Sequence, residues 1–310
     1  MNRFRADLVL LTVALIWGSA FAVQRVAAQY FDAFTFNGLR FLLGGLVLLP
    51  FSKINPFYKV KSPQVDAEIG TNMLSKRGLD GKSFAFMFMA GGLLFGAAGL
   101  QQLGLETTTA GNAGFITTLY VVLVPIILTT FWREKIHRVS WLGAGMAIIG
   151  SLLLSTGGKL KLASGDALEM AGALLWALHV ILISRAVKFM DVLTFSTGQY
   201  IAAGMLNILV STILQMPING LATGWWTIIY IGLLSTALGY TLQVFGQKYA
   251  PPTDATILLS MEAVFAAVTG FIFLGESMQL IQLAGCGLIL LAVVVTQLSS
   301  TRLQVKPIQA

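Results

Sequence analysis

Charge is what this sequence has least of. Of its 310 residues, 11% are Asp, Glu, Lys or Arg, where a soluble domain carries about 25%. Cysteine occurs once, as Cys286 inside an apolar run, which excludes an intrachain disulfide. There are two histidines, and neither belongs to an HExxH or other metal-spaced cluster, so no structural metal site is expected. No GK[ST] follows the many glycines, and they lie within apolar runs, so a nucleotide-binding loop is excluded too. No cofactor is expected. The net charge of +7 would suit a nucleic acid, but the Lys and Arg residues sit in loops between apolar runs, where they report topology instead. No nucleic-acid partner is expected.

What is there is hydrocarbon. Hydrophobic residues make up 56% of the chain and the mean hydropathy is +0.80. Apolar runs of about 20 residues, each long enough to cross a bilayer, recur from end to end. They are continuously apolar rather than alternating, which excludes a β-barrel. The fold expected is all-α and polytopic, with the lipid bilayer as its solvent. Ten spans are read, at about 7–28, 33–52, 83–103, 108–130, 139–156, 165–186, 194–215, 224–245, 252–274 and 279–298. The stretch 53–82 is a long basic loop. The start, "MNRFRADLVLLTVALIWGSAFA", has the pattern of a signal peptide, but an internal segment repeats that pattern, which favours a retained first span.

That internal segment belongs to a duplication. "ALIWGSAFAVQRVAAQYFDAFTF" from Ala14 aligns with "ALLWALHVILISRAVKFMDVLTF" from Ala173 at an offset of 159, pairing Trp17 with Trp176 and Asp32 with Asp191. Further on the offset is 142, pairing Gln101 with Gln243, Asn112 with Asp254, Tyr120 with Glu262 and Glu134 with Glu276. The first unit is read as 1–156 and the second as 157–300, followed by a tail, 301–310. Five spans in each half is an odd number, so the halves are inverted relative to each other. One side of the membrane collects 16 Lys and Arg residues, and the other holds Lys159 and Lys161. By the positive-inside rule both termini and the 53–82 loop are cytoplasmic. Inverted repeats give two packings of similar energy, open to opposite sides, around a site near the midplane. A secondary transporter is built that way.

Several stretches also carry a family resemblance: "ALIWGSAF", "TTAGNAGFITTLYVVLVPI", and the pair "FWREKIHRVSWLGAGMAIIGSLLL" and "FLGESMQLIQLAGCGLILLAVVV". Together they resemble the EamA-type members of the drug/metabolite transporter superfamily. The resemblance covers about residues 7–298 and implies ten helices in two repeats, no use of ATP, and transport of small metabolites. Amino-acid export across a bacterial inner membrane is an activity it often implies. Where the family often has proline just after Tyr120 and Glu262, this chain has Val121 and Ala263, and the proline of span four is Pro125.

Six residues are candidates for substrate binding. Glu262 is the most conspicuous, a lone carboxylate in "LLSMEAVFAA"; ionisable groups within spans are costly and usually functional. It could bind a substrate amine or carry a coupling proton, and the bland alternative is a buried structural carboxyl. Tyr120 is its repeat equivalent. Trp17 and Trp176 are read at mid-depth, away from the interfaces where membrane tryptophans collect, and either line a cavity or pack against a neighbour. His179, at a depth similar to that of Glu262, is a possible partner for it or a plain polar packer. Arg40 shares a helix face with Asn37 and could hold a substrate carboxylate, pair with a structural acid, or snorkel outward. Gly92 and Gly96, with Gly143, Gly145, Gly285 and Gly287, are expected at close helix contacts. Asp254 is expected to cap span nine, and Glu134 and Glu276 to lock loops.

The small-molecule substrate most in keeping with this pattern is an amino acid or related compound, exported by alternating access. A sugar-phosphate or nucleotide-sugar exchanger would need several deep Lys or Arg residues, and an intramembrane enzyme would need a catalytic grouping absent from the sequence. Proton coupling is open at Glu262, as is the oligomeric state.

Overall fold

The computed structural model describes residues 3–54, 80–108, 110–157, 164–218, 220–274 and 278–304. Most of the 53–82 loop, Lys159, Lys161, Glu276 and most of the 301–310 tail lie outside them, as does the side chain of Asn112. The described residues are helical, without strands. In chain order the helices are α1 (Arg3–Ala27), α2 (Ala33–Leu48), α3 (Gly81–Gly104), α4 (Ala110–Thr118), α5 (Tyr120–Trp132), α6 (Arg138–Thr156) and α7 (Asp166–Ala186). They continue with α8 (Val192–Ile213), α9 (Leu221–Tyr230), α10 (Thr241–Gln247), α11 (Pro252–Leu259), α12 (Met261–Leu274) and α13 (Leu280–Gln304). Among the described residues nine helical stretches are long and apolar enough to cross a membrane. The remaining expected span, 252–274, is present as α11 and α12, interrupted at Ser260.

Capping explains one of the repeated residue pairs. Asp32 precedes α2 and accepts from the Phe34 and Thr35 amides at 2.9 and 3.0 Å. Asp191 precedes α8 and accepts from the Thr194 amide at 3.0 Å. Each satisfies donors that a helix start leaves free. Asp254 departs from the expectation. Pro251 and Pro252 open α11, where a fixed φ and a missing N–H cost nothing. Asp254, within the first turn, instead accepts from Arg3 at 2.9 Å and Ser140 at 3.0 Å. That bond ties the beginning of α1 to α11, and Arg3 also bonds Asp7 at 2.8 Å. Glu134 pairs with Arg185 at 3.1 Å on an exposed surface.

The helices pair across the two halves in a pattern that is unchanged when the halves are exchanged. α2 packs on α8 and α6 on α13; α1 packs on α12 as α7 does on α4 and α5; α3 packs on α7 as the 221–247 stretch does on α1. Close approach is set by particular glycines. A Cβ on Gly150 would come within 2.8 Å of the Gly285 carbonyl oxygen, and one on Gly285 within 2.6 Å of the Gly150 carbonyl oxygen. Gly143 likewise faces Thr296. Gly145, Gly287 and Gly92 have open space instead, contrary to expectation. Residues two apart on a helix point about 200° apart, so Gly143 and Gly145 cannot both face one neighbour. The outer surface is apolar, with Phe88, Leu209, Ile213 and Trp225 more than half exposed. That suits lipid and not water.

Candidate functional site

Two helix breaks create the site. α4 gives way to α5 at Leu119, and α11 to α12 at Ser260. These are near-equivalent points of the two halves, and neither break has the proline the family often carries there. In span four the ring of Pro125 disfavours a regular turn against the carbonyl of residue 121. The backbone tightens so that the amides of Leu119 and Val122 bond three residues back, to Ile116 and Leu119. In span nine the Ser260 and Thr256 hydroxyls bond the carbonyls of Ile257 and Thr253, both at 2.7 Å. Such back-bonding bends helices. Both break residues keep right-handed helical dihedrals, so each span is tightened and not ended, with Tyr120 the first residue of α5 and Glu262 the second of α12. The Tyr120 hydroxyl donates to Glu262 Oε1 at 3.3 Å. Gly18 lets α1 close over it; a Cβ at that position would lie 2.7 Å from the Glu262 carbonyl oxygen.

Arg40 neither snorkels nor pairs with a structural acid. It is 1% exposed. Its Nε donates to Asn37 Oδ1 at 2.7 Å, and Asn37 is itself anchored by donating to the Ala98 carbonyl of α3 at 3.0 Å. The guanidinium lies 4.5 Å from the Phe41 ring centroid, a favourable cation–π position. Among the described residues no carboxylate comes within ion-pair distance of Arg40, and no cation within that distance of Glu262.

Both open onto one central cavity, together with Trp17, Tyr120 and Trp176. The centre of a water-sized sphere can move through about 40 Å³ of it, room for a few waters. His179 is not among the residues lining it. Fully buried, it bonds Gln199 through Nε2 at 2.9 Å, whereas the hydrogen-bond partner of Glu262 is Tyr120. The polar side chain at the depth of Glu262 is therefore turned to another helix, α8.

Sequence reasoning missed Tyr240, the hub of the aromatic wall. Trp17 packs against it at 4.7 Å between centroids, and Trp176 stacks on it at 5.9 Å and 15°. Tyr240 ends a ten-residue π-helical stretch, Ile231–Tyr240, between α9 and α10. The wider winding leaves the Ser235 carbonyl to accept from Trp17 Nε1 at 3.4 Å; π-turns often occur at functional sites. Its counterpart in the first half is Ala98, so the repeat carried no signal for it. Gln101 and Gln243 also line the cavity, and their pairing in the repeat was the available clue. A second, wider space of about 440 Å³ by the same measure lies at the Arg185, Lys188 and Lys248 end of the bundle. Gln247 stands in the wall between, donating to the Val180 carbonyl and Ser184 Oγ, each at 3.0 Å.

Comparison with known proteins decides the family. The model of the EamA-like transporter family matches residues 4–156 and again 163–298. The chain belongs to the EamA-like transporter family. It is a multi-pass membrane transporter. It is 31% identical to an uncharacterized transporter of Archaeoglobus fulgidus, over 96% of this chain and 87% of that one. It is 24% identical to the inner membrane transporter YedA of Escherichia coli, over 99% and 97%. A more local similarity, 35% identity over 42% of this chain and 43% of the relative, is to the threonine/homoserine exporter RhtA of Escherichia coli. A solved crystal structure superposes with a TM-score of 0.77 over 97% of this chain and 99% of its own, at 17% identity. That likeness concerns the fold.

Proposed function

We propose that this transporter exports a small zwitterion, an amino acid or close relative, by alternating access, with both termini in the cytoplasm. One observation carries the reading: a buried cation without a carboxylate, Arg40, and a buried carboxylate without a cation, Glu262, line the same cavity. An unpaired charge in a membrane interior is costly, and a ligand carrying both complementary charges relieves both costs at once. Arg40 receives the substrate carboxylate, Glu262 with Tyr120 the ammonium group, and the Trp17–Tyr240–Trp176 wall the aliphatic part. The local similarity to a threonine/homoserine exporter supports the same substrate class. A phosphate-bearing substrate is disfavoured, because Arg40 is the single Lys or Arg lining the cavity among the described residues.

The test is binding to purified protein in nanodiscs, comparing threonine and homoserine with the matching amine lacking the carboxylate and the N-acetyl acid lacking the charge on nitrogen. The zwitterions bind at least tenfold more tightly than either truncated analogue. Equal affinity for all three would refute the proposal.

A further inference from the structure

A second carboxyl lies inside the bundle, behind the cavity-lining Thr117. Glu169, the fourth residue of α7, is 1% exposed. Its Oε2 accepts from Thr117 Oγ1 at 3.4 Å, and its Oε1 is buried without a partner. It is pressed against the end of α3, where a Cβ on Gly104 would lie 2.7 Å from Oε1. The end of α3 presents carbonyl oxygens and a negative dipole end, which works against the favourable first turn of α7 on which Glu169 itself sits. Of the elements packed on α7, the described residues of α3, α4, α5, α10 and α11 bring no cation to it. The charged group acting on it is the Asp166 side chain, one turn away on α7 itself.

Something positive belongs on Glu169. A metal cation would need about six oxygen ligands, and no cluster of three or more acidic, His or Cys side chains exists among the described residues. A proton needs one. Thr117 supplies the path, since it lines the central cavity with Gln101 and Glu262. Its oxygen accepts from Gln101 Nε2 at 3.1 Å, and its own hydrogen points to Glu169. A hydroxyl has two lone pairs, so one remains for a cavity water.

We propose that Glu169 is a proton-binding site of this transporter, loaded and emptied from the central cavity through the Thr117 hydroxyl. In the loading step a hydronium ion gives a proton to the free lone pair of Thr117 Oγ1 as the original Thr117 proton passes to Glu169 Oε2. One O–H bond is broken and one formed at threonine, one is formed at glutamate, and water is left behind. The transporter then has two carboxyls serving one cavity, Glu262 in its wall for the substrate and Glu169 behind Thr117 for the proton that drives it. The assignment of roles rests on the zwitterion reading; the proton site itself does not.

Infrared difference spectroscopy on the purified, lipid-reconstituted protein tests it without any substrate, using pH steps and transfer to D2O as the probes. A buried carboxylic C=O band titrates, is lost in Glu169→Gln and persists in Glu262→Gln. In Thr117→Val that band remains, and its exchange in D2O slows at least tenfold. A Glu169 band that is absent at every pH, or exchange unaffected in Thr117→Val, overturns the proposal. Should Glu169→Gln fail to insert, the exchange rate in Thr117→Val decides alone. Threonine flux driven by a pH gradient separates the two ideas. A titrating Glu169 without threonine binding sinks the substrate reading only, while threonine transport with a pH-insensitive Glu169 sinks the proton site only.

Discussion

Arg40→Met separates a substrate-binding arginine from a structural one by two numbers of different size. The guanidinium of Arg40 bonds Asn37, interacts with the Tyr240 hydroxyl, and lies near the Phe41 and Phe36 rings. A hydrogen bond to a charged group contributes about 1.5–3 kcal/mol, and a desolvated cation–π contact about 2 kcal/mol. Against these stands the several kcal/mol that a charge loses on leaving water. Methionine gives up the first two and recovers the third while filling similar volume, so the net change in stability should lie within about 2 kcal/mol of zero. Breaking a buried ion pair, by contrast, costs about 3–5 kcal/mol. Binding behaves differently. Truncating one side of a buried charge pair costs about 2–5 kcal/mol, which at about 1.4 kcal/mol per decade weakens a zwitterion by thirtyfold to several thousandfold. Unfolding in mixed micelles gives the first quantity and titration in nanodiscs the second. A stability loss above about 3 kcal/mol would refute the unpaired state of Arg40. Equal weakening of threonine and of its decarboxylated amine would refute its role toward the carboxylate.

Gly18→Val should force α1 away from the Glu262 backbone, destabilising by about 1–3 kcal/mol as overpacking does; unchanged stability and transport would show that α1 and α12 are not closely apposed there. Asp32→Ala and Asp191→Ala should each cost about 1 kcal/mol through a lost cap. Their effects should add in the double variant, because they cap different helices and share no bonds, and a strongly non-additive pair would contradict that. In a Cys286→Ser background, Lys188→Cys should resist an impermeant maleimide applied to intact cells and Glu106→Cys should react with it. The opposite pattern would reverse the proposed orientation.

The sequence alone determined the solvent and the architecture. Continuous apolar runs can satisfy their backbone in a bilayer only as helices, and a duplicated pattern with an odd number of spans fixes inversion. It also contained the expensive residues, since an ionisable group within such a run stands out against its neighbours: Glu262 and Arg40 were legible for that reason, and Trp17 and Trp176 because the repeat pairs them. Tertiary structure decided which polar residues meet. His179 and Glu262 share a depth, but the rotation of α7 turns the histidine to Gln199, and depth along a span says nothing about azimuth. Tyr240 became the hub because a π-helical stretch shifts the phase of its span, a change that no apolar pattern of period 3.6 encodes. Glu169 sits near the end of an apolar run, where a carboxyl ordinarily reaches water. Only the close packing of α3 through Gly104 buries it, because burial depends on the neighbouring helix and not on the residue's own segment.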